Sequence, residues 1–161
     1  MISFSDHHAI ERLIHLYPYY LDAGRFDMLG RLFEHGDLYI GAELVAHRDP
    51  SAVAALWRRY VRVYPNGTPR TRHVVSNVMI DSEGADHASA YSCVMVLQQP
   101  PGLTLRPIIT GDYLDRFDKV DGQWWFTERR VGNDLFGDLS HHLLEPMPVV
   151  DETRPQRWEG A

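Results

Sequence analysis

Several features that define common protein classes are absent from this sequence of 161 residues. Its single cysteine, Cys93, cannot form an internal disulfide, and no cysteine–histidine cluster has the spacing of a zinc site. No apolar run approaches the roughly 18 residues that cross a bilayer, and the first residues lack the basic and apolar regions of a signal peptide. We therefore expect a cytoplasmic protein that has no membrane partner.

Positive charge is also scarce. The chain carries 16 Lys and Arg residues against 22 Asp and Glu, for a formal net charge of −6. Because binding to phosphate backbones depends on surplus positive charge, we expect no nucleic-acid partner. There is no glycine-rich phosphate loop, dinucleotide fingerprint or nucleophile elbow. The pairs His7-His8 and His141-His142 lack the i, i+4 spacing of a helical metal site, so we expect neither a cofactor nor a metal.

The first part of the chain has helical periodicity. A helix is predicted from an N-cap at Ser5 or Asp6 to about Asp22, and a short one follows between 26 and 33. After a short strand at 38–40, a third helix begins at Asp49-Pro50.

From residue 70 onward the apolar period changes to two, in runs at 71–80, 87–98, 104–120 and 123–136. Asp121-Gly122 between the last two runs predicts a hairpin. Helices followed by an antiparallel meander predict an α+β fold, with three N-terminal helices packed on one face of a strongly curved, mostly antiparallel sheet. We assign residues 1–145 to a single domain and residues 146–161 to a proline-containing tail.

Two distant residues could form a catalytic pair. Asp22 lies at the end of the first helix, and His73 lies in the first long strand. A carboxylate that orients an imidazole and stabilises its cation makes a general base near neutral pH. The alternatives are a core histidine bonded to a backbone carbonyl and a solvated carboxylate at a helix end.

Other side chains are candidates for substrate contacts. Tyr19 and Tyr20 lie beside Asp22, although each could simply pack the helix. Asn77 shares a face with His73 if the strand alternates regularly, and Trp57 lies on the apolar stripe of the third helix.

One of two adjacent arginines, Arg129 or Arg130, should point inward, because neighbouring strand residues face opposite sides of a sheet. An inward arginine could bind an anionic oxygen. The alternative is that Glu128 or Asp115 neutralises it.

Three runs together resemble a known family. They are Y-P-Y-Y-L-D-A-G-R-F-D-M-L-G-R-L-F, T-R-H-V-V-S-N-V and G-D-Y-L-D-R-F-D-K-V-D-G-Q-W-W-F-T-E-R-R-V, within residues 5–136. The chain resembles the SnoaL-like branch of the nuclear transport factor 2-like superfamily. This resemblance implies a cone-shaped α+β barrel, in which three helices close a bent sheet around a deep apolar pocket.

The resemblance also implies roles for individual residues. Scytalone dehydratase and hexachlorocyclohexane dehydrochlorinase, both of this superfamily, remove a proton with a His–Asp dyad, and Asp22 and His73 fall on its two positions. Arg129 falls near the pocket arginine of the dehydrochlorinase. The chain departs from scytalone dehydratase at Leu21, where that enzyme has tyrosine, and on the strand of its second histidine, where this chain has Ser92, Cys93 or Val94.

We therefore expect a cofactor-independent lyase or isomerase of the dehydratase, dehydrohalogenase or polyketide-cyclase type. His73 and Asp22 would remove a proton from a small hydrophobic cyclic molecule bound by Tyr19, Tyr20, Arg129, Asn77 and Trp57. The alternative is a non-catalytic small-molecule binding protein or a structural subunit of the same fold. Because members of this fold commonly pair their sheets, we also expect a homo-oligomer, either a dimer or a trimer.

Overall fold

A computed structural model describes residues 2–147, so most of the predicted tail, residues 148–161, lies outside the described residues. The helices are α1 (Phe4–Asp22), α2 (Phe26–Arg31) and α3 (Pro50–Tyr60). The strands are β1 (Asp37–Ile40), β2 (Glu43–His47), β3 (Thr71–Ser82), β4 (His87–Gln98), β5 (Arg106–Val120) and β6 (Gln123–Phe136). They form a sheet in the order β2-β1-β6-β5-β4-β3, in which β1 and β6 are parallel and the other neighbours antiparallel. The α+β prediction, with helices on a curved and mostly antiparallel sheet, is confirmed.

The ends of two elements follow from local hydrogen bonding. Helix α1 is capped by Ser3, not by the predicted Ser5 or Asp6. The Ser3 hydroxyl accepts from the Asp6 N–H at 3.1 Å, and the Asp6 carboxylate accepts from the Ser3 N–H at 3.2 Å. Asp6 is thus the second member of a capping box. At the predicted hairpin, Asp121 and Gly122 have φ of 51° and 80°, as a tight type I′ turn requires.

Strand β2 was not predicted. It has only five residues, is mostly exposed and pairs with β1 at the edge of the sheet. Such a strand has little apolar alternation, because only one of its residues, Ala46, is buried.

The core lies between the helices and the inner face of the sheet. Helix α1 contributes a buried stripe of Ile10, Ile14, Tyr17 and Leu21, and the sheet contributes residues such as Phe126. No helix within residues 2–147 is long and apolar enough to cross a membrane.

A β-bulge in β3 overturns one expectation about strand faces. The pairing of β3 with β4 shifts between Ser76 and Met79, and Asn77 has a φ of 52°. Ser76 and Asn77 are therefore both exposed, and Val78 takes the inward position that regular alternation would give Asn77. The interpretation that His73 and Asn77 share a face was wrong, because a bulge shifts the alternation by one residue.

Candidate active site

The fold brings Asp22 and His73 into contact. Asp22 is the last residue of α1, and His73 lies two residues after the start of β3. The Asp22 Oδ1 atom lies 2.6 Å from His73 Nδ1, and the two side chains are 8% and 6% exposed. A hydrogen bond this short between largely buried groups fixes the plane of the imidazole ring.

The turn after α1 makes this contact possible. Gly24 has a φ of 67°, and a Cβ atom there would lie 2.4 Å from the carbonyl oxygen of Gly67. Only glycine combines this left-handed backbone with so close an approach. The end of α1 is thereby held against the loop that leads into β3.

Two further hydrogen bonds hold the Asp22 carboxylate. The His73 backbone N–H donates to Oδ2 at 2.8 Å, and the Thr71 hydroxyl donates to Oδ1 at 2.7 Å. Burial alone would raise the pKa of Asp22, but the hydrogen bonds and charge of His73, together with Thr71, outweigh it and hold that pKa below its usual value. An ionised Asp22 accepts from Nδ1–H of His73, so Nε2 is left as the basic nitrogen of the ring.

His73 lines two depressions. One is an open cleft of about 670 Å³, which Asp22, Tyr19 and Arg72 also line. The other is an interior cavity of about 60 Å³. Most of the cavity lining is apolar or aromatic, and its polar members are Tyr17, Trp57, His73, Tyr113, Asn133 and His142. A base at such a wall can act on a bound molecule that is shielded from water.

A second histidine, His142, lines the same cavity as His73. It is 5% exposed, and its Nδ1 has no hydrogen-bond partner within residues 2–147. Burial, reinforced by the charge of His73, lowers the pKa of His142 to about 4. In the sequence, His141-His142 was considered only as a metal site and was set aside for lack of i, i+4 spacing; the segment after β6 has no periodicity that could have placed the His142 side chain.

The segment that carries His142 is firmly attached. The Arg62 N–H donates to the His142 carbonyl at 2.8 Å, and the Leu144 N–H donates to the Tyr60 carbonyl at 2.8 Å. The amide of Gln98, a fully buried side chain, donates at 3.1 Å to the carbonyls of both Pro69 and His141. Gln98 therefore joins the residues just before β3, the strand of His73, to the segment that carries His142.

Arg129 points inward but does not line the cavity. Its Nε and Nη2 atoms each donate to the Asp115 carboxylate at 2.7 Å, and both side chains are 0% exposed. The rings of Tyr17, Tyr113 and Phe126 lie 4.2–4.6 Å from its guanidinium carbon. The buried arginine is therefore neutralised by Asp115. The two residues lie directly opposite each other on neighbouring strands.

The remaining candidates are scattered. Trp57 lines the cavity, whereas Tyr19 is 56% exposed and lines the outer cleft. Tyr20 is half-buried and packs against the core and the Tyr19 ring.

Asn77 lies on the exposed bulge, where its amide donates to Cys93 Sγ at 3.6 Å. Arg130, the alternative to Arg129, pairs with Glu128 at 2.6 Å. Of the predicted set, the cavity therefore brings together His73 and Trp57, with Asp22 behind His73.

No group of three or more His, Cys, Asp or Glu side chains in the described part of the chain is arranged to hold a metal ion. The arrangement of Asp22 and His73 offers acid–base chemistry, since a carboxylate-oriented imidazole can accept a proton.

Comparison with known proteins agrees with this architecture. The model of the SnoaL-like domain family matches residues 3–130. Among curated proteins, no sequence matches the chain. A candidate scytalone dehydratase from Novosphingobium aromaticivorans DSM 12444 is 26% identical, with a TM-score of 0.66 over 83% of this chain and 87% of its own.

Two more distant structures share the fold. Hexachlorocyclohexane dehydrochlorinase LinA-type3 from Novosphingobium barchaimii LL02 is 18% identical, with a TM-score of 0.65 over 84% of this chain and 91% of its own. The beta subunit of a candidate aromatic-ring-hydroxylating dioxygenase from N. aromaticivorans DSM 12444 is 21% identical, with a TM-score of 0.63 over 81% and 90%.

Proposed function

Because this chain belongs to the SnoaL-like domain family, we propose that it is a cofactor-independent lyase or isomerase with a His–Asp general base. The substrate is a small hydrophobic cyclic molecule with an acidic C–H bond. The observation that carries this proposal is the 2.6 Å contact between Asp22 and the Nδ1 atom of His73, a residue that lines the interior cavity.

In the proposed reaction, His73 Nε2 takes the proton from the substrate carbon. The imidazolium that forms lies against the Asp22 carboxylate, which stabilises its charge and keeps the ring in one orientation. Thr71 holds the carboxylate in place through its hydroxyl. General base catalysis contributes a rate enhancement of roughly 10²–10⁴-fold, so any further enhancement must come from positioning of the substrate in the apolar cavity.

The structural relatives support this reading at the level of reaction type. A dehydratase and a dehydrochlorinase both carry out eliminations, and elimination can begin with removal of a proton from carbon. The candidate scytalone dehydratase is 26% identical over most of both chains. Leu21 precedes Asp22 where scytalone dehydratase has a tyrosine, so the proposal is limited to the shared proton abstraction.

Hydrogen–deuterium exchange tests the proposal without a known product. The protein is incubated in D2O with a panel of cyclic ketones and γ-hexachlorocyclohexane, and proton NMR follows loss of the C–H signal or formation of product. We expect turnover of at least one compound and a loss of about 10²-fold or more in His73→Ala and Asp22→Asn. His87→Ala is the matched control, because His87 forms a similar 2.7 Å pair with Asp118 on the surface.

Wild-type turnover that persists in His73→Ala would refute the His–Asp base. No reaction with any compound, combined with measurable binding of the same compounds, would favour the second class of function, a binding protein.

A second candidate role, an assembly subunit, has one supporting observation. Four residues directly opposite one another across β3, β4, β5 and β6 form a row on the outer face of the sheet, Val74, Met95, Thr110 and Leu135. Val74, Met95 and Leu135 are 46%, 42% and 64% exposed. Neighbouring exposed apolar side chains are typical of protein contacts, so this outer row is where we propose that a dimer or trimer forms.

A further inference from the structure

The open cleft of about 670 Å³ carries positive charge in a protein whose formal net charge is −6. Arg70 and Arg72 both line it, and Asp22 is the only carboxylate among its lining residues within the described part of the chain. Both oxygens of the largely buried Asp22 are engaged by Thr71 and His73. The charge that the cleft presents to solvent is therefore that of the two arginines.

Neither Arg70 nor Arg72 forms an ion pair with a carboxylate within residues 2–147. The arginines that do so in this part of the chain are Arg58, Arg59, Arg106, Arg129 and Arg130. The guanidinium groups of the cleft therefore keep their capacity to bind an external anion.

The Arg70 side chain is held in place by its neighbours. Its Nε donates to the Gln99 carbonyl at 2.5 Å, and the Gln99 N–H donates to the Arg70 carbonyl at 3.1 Å. Arg70 also has a φ of 55°, a left-handed backbone that costs free energy in a residue other than glycine. Because Nε is already used, the two Nη groups remain at the end of the side chain, where parallel N–H donors match the geometry of a carboxylate.

The same cleft has an apolar half. Tyr19 and Leu105 line it, and both are large side chains that remain exposed. Leu97, another lining residue, lies directly opposite Arg72 on the neighbouring strand. Exposed apolar side chains beside cationic ones are suited to a ligand that has a charged end and an apolar body.

We propose that this cleft is a second binding site, which takes a small carboxylate with an aromatic or aliphatic body. Arg70 and Arg72 bind the carboxylate, and the apolar body lies against Tyr19, Leu97 and Leu105. The cleft volume lies within the range of about 300–1,000 Å³ that is typical of small-molecule sites. This site is separate from the interior cavity, so it does not depend on the proposed reaction.

Isothermal titration calorimetry with cinnamate and cinnamamide tests the site, because the two ligands share an aromatic body and differ in the charge of the head group. At low ionic strength we expect the wild-type protein to bind cinnamate about twentyfold more tightly than cinnamamide, and added salt should reduce this preference. Arg70→Gln and Arg72→Gln should each weaken cinnamate binding about fivefold and change cinnamamide binding by less than about twofold.

Arg116→Gln is the matched control, because Arg116 is an exposed strand arginine outside the cleft that forms no ion pair within the described residues. Tyr19→Ala should weaken both ligands, since it removes a contact with the body that they share. Equal binding of the two ligands by the wild type would overturn the proposal. A double variant Arg70→Gln/Arg72→Gln that still prefers cinnamate would overturn it as well.

A measurement on the unmutated protein locates the ligand and guards against misfolded variants. We expect nuclear Overhauser effects between the cinnamate protons and the methyl groups of Leu97 or Leu105. Contacts only with Val96 and Ile109, which line the interior cavity and not the cleft, would place the ligand elsewhere and refute this site. Failure of the wild-type protein to bind cinnamate at millimolar concentrations would refute it too.

Discussion

Replacing one member of the buried Asp115–Arg129 pair should cost much of the stability of the protein. Two hydrogen bonds of 2.7 Å join the side chains, and neither side chain has any exposed surface. In Asp115→Leu the guanidinium would stay buried among Tyr17, Tyr113 and Phe126 without a counter-charge. Stranding a buried charge in this way costs about 3–5 kcal/mol.

The double variant Asp115→Leu/Arg129→Met should be more stable than either single variant. It removes both charges together, and apolar replacements of buried ion pairs are often close to neutral in stability. We expect it to recover at least about 2 kcal/mol relative to Asp115→Leu, because the stranded guanidinium charge is no longer present.

Urea unfolding, followed by both tryptophan fluorescence and circular dichroism, measures these differences. With a slope of about 2 kcal/mol per molar urea, a loss of 4 kcal/mol lowers the midpoint by about 2 M. Coincident transitions from the two probes would justify a two-state treatment. A loss below about 1 kcal/mol in Asp115→Leu, or a double variant whose loss equals the sum of the single losses, would refute this reasoning.

Two further predictions concern acid stability and assembly. The pKa of Asp22 is held below 3.8 in the fold, so its stabilising contribution is present above about pH 3.8 and is lost as the pH falls through the folded pKa. In urea unfolding across pH, the stability advantage of wild type over Asp22→Asn should therefore be greatest near neutrality and shrink in acid. If the outer row forms a dimer or trimer, analytical ultracentrifugation should give a multiple of 18.5 kDa for the wild type, and Met95→Lys should shift it toward the monomer.

Each of these has a clear opposing result. If the difference in unfolding free energy between wild type and Asp22→Asn stays constant as the pH falls, the pKa of Asp22 is not lowered in the fold. Sedimentation of the wild type as a monomer at high concentration, or an unchanged oligomer in Met95→Lys, would rule out assembly through the outer row.

Much of the fold was predictable because local patterns specify it. The 3.6-residue period of α1 and α3, the alternation of the long strands and the Asp121-Gly122 turn all depend on neighbours close in sequence. The predictions that failed also concerned local structure. Strand β2 is too short and exposed to show alternation, and the bulge at Asn77 reverses the facing of the residues around it.

The candidate site was only half predictable. Asp22 and His73 could be singled out by residue type, position and family resemblance. His142 could not, since it lies in an irregular segment whose position depends on Gln98, Tyr60 and Arg62. The partner of Arg129 was also open in the sequence, because strand register decides which carboxylate lies opposite it.

The sequence by itself therefore determined the elements, their order and the residue types that could act as a base. Only the tertiary structure decided which of these residues meet. Asp22 meets His73 at 2.6 Å where Gly24 packs against Gly67, and Trp57 and His142 line the same cavity because a distant segment packs on α3. Hydrogen bonds and electrostatic interactions act over a few ångströms in space, whereas sequence patterns report only neighbours along the chain.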